Sequence, residues 1–258
     1  MKDRLPALFI GHGSPMNAIE TNEYTKMLNK LGETIGKPKA VLVISAHWLT
    51  EGSYIDIQDN PKQIYDFYGF PRELYEVDYK PSGSSEYAIR AYEHLKAFGV
   101  KSTKEWGLDH GSWAILKHLY PNADVPAFQL SLNHAFTPEE HYNLGKKLKE
   151  LRNEGYLILG SGNIVHNLRK MDFDASDSPF DWAKKFDEYI ANSLISNNHL
   201  NLINYKSQGI TEKLALPTDE HYLPLLYIAA LQESDESISF LHEGIEFGSL
   251  SMRSFMVS

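Results

Sequence analysis

Four histidines of this chain fall where a strand or turn should end. They are His12 in Gly11-His12-Gly13-Ser14-Pro15, His47 in Ser45-Ala46-His47-Trp48, His110 in Asp109-His110-Gly111, and His166 a few residues after Gly160-Ser161-Gly162-Asn163. Neutral imidazole is the commonest metal ligand in proteins. A mononuclear catalytic site needs about three such donors, with positions left open for substrate. Strand ends in an α/β sheet face one crevice, so histidines distant in sequence can meet there. His221 joins them by another route: it follows Asp219-Glu220 where a helix should begin. A helix N-terminus disfavours a histidine by its dipole unless something else holds it. Asp219 and Glu220 read equally well as ordinary first-turn acids.

The remaining histidines carry less. His94, His118, His141, His199 and His242 sit in amphipathic or polar stretches and read as surface or packing residues. His134 directly follows an expected strand and belongs clearly to neither group. The chain has no cysteine, so disulfides and thiolate metal sites are excluded. An ion held by nitrogen and oxygen points to zinc, iron or manganese.

Elements that deliver such residues are legible in the hydrophobic pattern. Short apolar runs alternate with longer amphipathic ones, the rhythm of a layered α/β domain. Strands are expected over 7–10, 40–45, 54–57, 127–132, 156–159, 238–241 and 254–257. Helices are expected over 21–35, 85–98, 112–119, 138–152, 181–194 and 221–231. The spacing predicts a single domain over 1–258 with a central mixed, mostly parallel sheet flanked by helices. The stretch 60–84 is rich in Pro, Gly and Tyr without periodicity, which suggests a binding loop or lid. Trp48, Tyr68 and Tyr222 are candidate walls for a planar substrate, against the alternative of ordinary packing. Asp109 either orients a histidine or caps the helix after it.

Composition bounds the partners. Hydrophobic residues make up 42% of 258 and charged residues 23%, a normal globular balance. The net charge of −9 argues against nucleic-acid binding, which needs a basic surface. The N-terminal apolar run is too short for a signal-peptide core, and no segment approaches the ~20 apolar residues that span a membrane. The cytoplasm is the expected location. A serine hydrolase lacks its Gly-x-Ser-x-Gly elbow here, and Gly160-Ser161-Gly162-Asn163 matches neither common phosphate-loop pattern.

Taken in order, Gly11 to Asn17, Ser45 to Trp48, Gly107 to Gly111, Gly160 to Asn163 with His166-Asn167, and Glu220-His221 resemble the class III extradiol ring-cleavage dioxygenases, in particular their DOPA 4,5-dioxygenase-like branch. The resemblance runs from residue 6 to about 230. It implies one mononuclear divalent metal, Fe(II) for catalysis with Zn(II) as another ion the site would bind. It implies His12 and His47 as ligands, His221 as the third, and Glu220 as the alternative third. His166 matches the family's acid–base histidine and is a further ligand for a tetrahedral zinc ion. His110 matches a histidine that contacts substrate or oxygen. The substrates implied are a small catechol such as DOPA and dioxygen. Two alternatives stand beside this reading: a tetrapyrrole metal chelatase, some of which also begin with a strand followed by His-Gly-Ser, and a non-catalytic metal-binding relative.

Overall fold

A computed structural model describes residues 4–174 and 178–258; residues 1–3 and 175–177 of the expected domain lie outside the described residues. In chain order the elements begin with β1 (Ala7–Gly11), α1 (Glu23–Ile35), β2 (Ala40–Thr50), β3 (Ser53–Asp56), α2 (Arg72–Tyr75), α3 (Ser85–Leu95) and β4 (Val100–Thr103). Then come α4 (His110–Leu119), β5 (Ala127–Asn133), α5 (Pro138–Lys146), α6 (Lys149–Asn153) and β6 (Tyr156–Gly162). The chain closes with α7 (Asp181–Ile195), α8 (His199–Ile203), α9 (Ile210–Ala215), α10 (Leu223–Ala229), β7 (Ile238–His242), β8 (Ile245–Glu246), β9 (Leu250–Ser251) and β10 (Ser254–Val257).

Eight strands form one sheet in the order β4-β3-β5-β2-β6-β1-β10-β7. The central four, β5, β2, β6 and β1, run parallel, while β10 and β7 join antiparallel at one side. The central strands are continuous apolar runs because both faces are covered. Alternate residues of β1 point to opposite layers: Ala7 and Phe9 join one core cluster, Leu8 and Ile10 the other. Tyr24, Leu28 and Leu31 of α1 and the apolar side of α4 fill the second cluster; α3, α5, α7 and α10 fill the first. Each fully buried leucine in these layers contributes roughly 1.5–3 kcal/mol. This is the expected single-domain α/β architecture, a mixed sheet with helices on both faces.

Three boundaries differ from the sequence pattern for physical reasons. β2 does not stop near Ser45. Ile44 pairs with Leu130 and Leu49 with Leu132, so five steps along β2 match two along β5; the bulge turns the strand locally. The helix expected over 138–152 breaks after Lys146, just beyond Gly145, where the backbone of Tyr227 comes within 2.7 Å of a would-be Cβ. α10 begins at Leu223 with Pro224 in its first turn, leaving His221 in the preceding turn. No helix among the described residues is long and apolar enough to cross a membrane.

Candidate metal centre

The C-terminal ends of the parallel strands open into a cavity of about 760 Å³. His12 enters it directly after β1, and its backbone N–H donates to the Gly162 carbonyl at 3.1 Å, which keeps β1 registered with β6. His47 reaches it from the bulge of β2. His221 comes from the turn before α10. That turn is fastened to the end of β6, since Asn163 N–H donates to the His221 carbonyl at 2.9 Å. A Cβ on Gly162 would lie 2.1 Å from that carbonyl oxygen, so only glycine permits the approach.

Proton positions follow from the partners. Ser161 Oγ donates its one proton to the Gly111 carbonyl at 2.6 Å, so it accepts from His12 Nδ1 at 2.9 Å. His47 Nδ1 faces Asp66 Oδ2 at 3.3 Å, and His221 Nδ1 faces Glu220 Oε1 at 3.0 Å. Carboxylates only accept, so His221 Nδ1 carries its proton, as His12 Nδ1 does, and their Nε2 atoms keep bare lone pairs; the 3.3 Å approach of Asp66 favours the same tautomer for His47. His12 Nε2 and His47 Nε2 are 3.2 Å apart, and one ligand nitrogen from each of the three histidines lies within 4.8 Å of the others. Two nitrogens bound to one ion at about 2.0–2.1 Å have about this separation. His221 Nε2 is buried without a hydrogen-bond partner. Burial drives the imidazolium form of His12 and His221 well down, and neighbouring histidines push the same way. Burial, then His110, brings His47 down to about 3. A proton is therefore a poor occupant for this set of nitrogens; a divalent cation fits.

His166 lines the same cavity; it is not in the three-nitrogen set, but with Glu220 and His221 it forms a second group whose ligand atoms lie within 4.8 Å of one another. Its ring lies flat on that of His221, with centroids 3.4 Å apart and planes 8° from parallel. Burial, then His110, holds its pKa down to about 4. Glu220, the alternative ligand, engages the Nδ1 edge of His221 rather than the Nε2 cluster. His110 opens α4, with its ring centroid 4.1 Å from that of His47 and 5.7 Å from that of His12.

Asp109 caps α4 by accepting from Ser112 N–H at 3.1 Å. Its other partners are Ser45 Oγ and Gln129 Nε2, both at 2.8 Å, so it acts as a cap and not as a partner of a histidine. Burial, then the charge of Asp66, raises its pKa. Of the three aromatic candidates only Tyr68 lines the cavity. Trp48, next to His47 on an alternating strand, points away and stacks on Trp106; Tyr222 is buried behind the site with its hydroxyl on the Leu202 carbonyl. Phe67, Phe70, Phe173 and Phe247 form the walls instead. The segment read as a binding loop does reach the site, through Asp66, Phe67, Tyr68 and Phe70.

His94, His141 and His199 bond to groups away from the cavity, His118 bonds to the backbone carbonyl of Asn17 on the cavity wall without lining the cavity itself, and His242 packs on Tyr24. Asp66 and Ser161 were not singled out from sequence. The only signal for Asp66 is its place in an aperiodic aromatic stretch. Ser161 carried none beyond sitting between two glycines.

The family described as the catalytic LigB subunit of aromatic ring-opening dioxygenase matches residues 6–256. The chain is 45% identical over 259 residues to the 4,5-DOPA dioxygenase extradiol of Escherichia coli (strain K12), covering 98% of this chain and 95% of that protein. It is 37% identical to the 4,5-DOPA dioxygenase extradiol of Beta vulgaris, covering 96% and 94%. A crystal structure of an uncharacterized protein from Escherichia coli K12 superposes with a TM-score of 0.86 at 41% identity, over 99% of this chain and 100% of that one.

Proposed function

The chain belongs to the LigB family of aromatic ring-opening dioxygenases, which makes it an extradiol ring-cleaving oxidoreductase, and from that premise we propose that it opens a catechol such as DOPA with dioxygen at one mononuclear divalent metal. The observation that carries this reading is the convergence of one ligand nitrogen from each of His12, His47 and His221, whose Nδ1 atoms face Ser161, Asp66 and Glu220 in turn. His12, His47 and His221 would hold the ion and leave neighbouring positions open for both reactants. Bound Fe(II) supplies one-electron chemistry between catecholate and dioxygen, whereas Zn(II) would occupy the same nitrogens without it.

The remaining work falls to side chains. His166 is neutral near pH 7 because burial holds its pKa to about 4, so it accepts the catechol proton and later returns it to the opened ring. His110 faces the same space as a second polar group within reach of substrate or dioxygen. The phenylalanine walls hold a planar ring between them. The cytoplasmic location and the single catalytic domain over 1–258 belong to this reading. The family match over 6–256 leaves the chelatase alternative without support.

The test starts from protein stripped of metal and reloaded anaerobically with Fe(II). On adding air and a catechol panel that includes L-DOPA, oxygen uptake should accompany a yellow ring-opened product. His12→Ala should abolish both. A metal-loaded protein that consumes no oxygen across the panel overturns the proposal and returns the non-catalytic alternative.

A further inference from the structure

Among the described residues, Asp66 is the carboxylate that meets both His47 and His110. Its Oδ2 lies 3.3 Å from His47 Nδ1 and 3.0 Å from His110 Nδ1, and its Oδ1 accepts the His110 backbone N–H at 2.9 Å. Only the backbone contact has hydrogen-bond geometry; the two Nδ1 atoms approach Oδ2 as close polar contacts, and His110 Nδ1 has no hydrogen-bond partner among the described residues. Among the described residues no other side-chain acceptor stands at either Nδ1. The two histidines come from different elements, the bulge of β2 and the first residue of α4, which Ser45 Oγ also ties by donating to Asp109 at 2.8 Å; Asp66 adds a contact to the rings themselves.

The loop that carries Asp66 is held independently of those contacts. Ile64 N–H donates to the Leu108 carbonyl at 2.8 Å, and Leu108 N–H to the Lys62 carbonyl at 2.9 Å. Trp113 Nε1 donates to the Ile64 carbonyl at 2.9 Å. A Cβ on Gly107 would meet the Lys62 carbonyl oxygen at 2.2 Å, so the close approach depends on glycine. Phe67 then sets its ring edge against His110, with centroids 5.6 Å apart. The carboxylate is thus delivered by a braced loop.

We propose that Asp66 is a positioning residue that couples the two histidines. It keeps the His47 proton on Nδ1, so that Nε2 faces the ion, and it sets how far His110 stands from that ion. The proposal rests on the metal-site reading above and extends it to Asp66, which lines the cavity and whose ligand atom lies within 4.8 Å of those of His47 and His110. Partners that fix the tautomer of a ligating histidine typically cost 10–100-fold in metal affinity when removed. Asn at this position offers one acceptor oxygen where two are used, and its NH2 meets an N–H whichever way it turns.

Two measurements decide the matter. The first is Zn(II) affinity by competition with a chromophoric chelator, with a thermal melt to establish that each variant is folded. Asp66→Asn should bind about tenfold or more weakly, Asp66→Glu should recover part of the loss, and His110→Gln should stay within about threefold of the unsubstituted protein. The second is turnover at saturating Fe(II). Asp66→Asn should lower kcat by about tenfold or more in the unsubstituted protein but by under about threefold in a His110→Gln background, because both changes act on one unit. Folded Asp66→Asn with unchanged zinc affinity, or effects on kcat that multiply independently, overturns the coupling. If the unsubstituted protein turns over no catechol, the dioxygenase reading fails while the zinc measurement still decides the hold on His47.

Discussion

The imidazoles of His166 and His221 lie face to face, 3.4 Å between centroids and 8° from parallel. On the proposed reading, His12, His47 and His221 would hold the metal, and His166, stacked on His221, would handle the proton. His166→Gln should retain its metal, measured by elemental analysis, while turnover falls by about 10²–10⁴-fold. Loss of metal together with turnover would make His166 a ligand.

Ser161 decides the tautomer of His12, because its own proton is spent on Gly111. Ser161→Ala leaves the buried His12 Nδ1–H without its partner and removes a second bond from the Gly111 carbonyl. The expected cost is about 1–3 kcal/mol of stability and about 10–100-fold in metal affinity. Denaturant melts and chelator competition measure the two separately. Unchanged metal affinity in a folded variant would mean that His12 does not depend on Ser161.

Charge in the cavity predicts substrate preference. Glu20 and Glu246 line it, and no Lys or Arg does among the described residues. Burial, then the charge of Glu20, raises the pKa of Glu246, which is the direction expected of a carboxylate short of cations. A catechol with an ammonium on its side chain should show kcat/KM roughly tenfold or more above one with a carboxylate on the ring. Glu246→Gln should narrow that ratio. Equal efficiencies for the two catechols would show that neither acid faces the substrate.

His141 gives the stability a pH dependence independent of the site. It is fully buried against Tyr227, and burial lowers its pKa from 6.5 to about 4. The unfolded chain therefore takes up the proton first as pH falls. Its contribution is complete above 6.5 and is lost between about 6.5 and about 4, with a slope of up to about 1.4 kcal/mol per pH unit. In metal-free protein, His141→Gln should flatten the stability profile by about that slope in this window. An unchanged slope in denaturant titrations would contradict the burial account.

The four strand- and turn-end histidines and His221 were legible in the sequence because each sits beside a glycine, a strand end or a helix start. The layered fold was legible because two-faced burial makes β2 and β6 unbroken apolar runs. Asp66 was not legible: its role depends on a loop crossing to two distant elements, and no periodicity marks such a crossing. Trp48 and Tyr222 misled for the opposite reason. Adjacency to a site histidine in sequence places a side chain on the other face of a strand or turn, so the nearest aromatic neighbours became core. The bulge that aims His47 is likewise set by pairing with β5, which the residues of β2 alone do not reveal.

β1, which delivers His12, has β6 on one side and β10 on the other. Its last residue also donates from Gly11 N–H to Ser254 Oγ at 3.0 Å. The first donor is thus seated by a strand that follows all three donors in the chain. At ~5–20 residues per second, the interval between synthesis of His47 and of His221 is on the order of ten seconds or more. If these three hold the ion, the nascent chain offers two of the three nitrogens over that interval, and the centre is expected to settle only once β10 has joined β1. Ribosome-stalled chains ending before residue 254 should fail to retain zinc under chelator challenge, and released full-length chains should hold it. Retention by the stalled chains would mean that the centre assembles without its final strand.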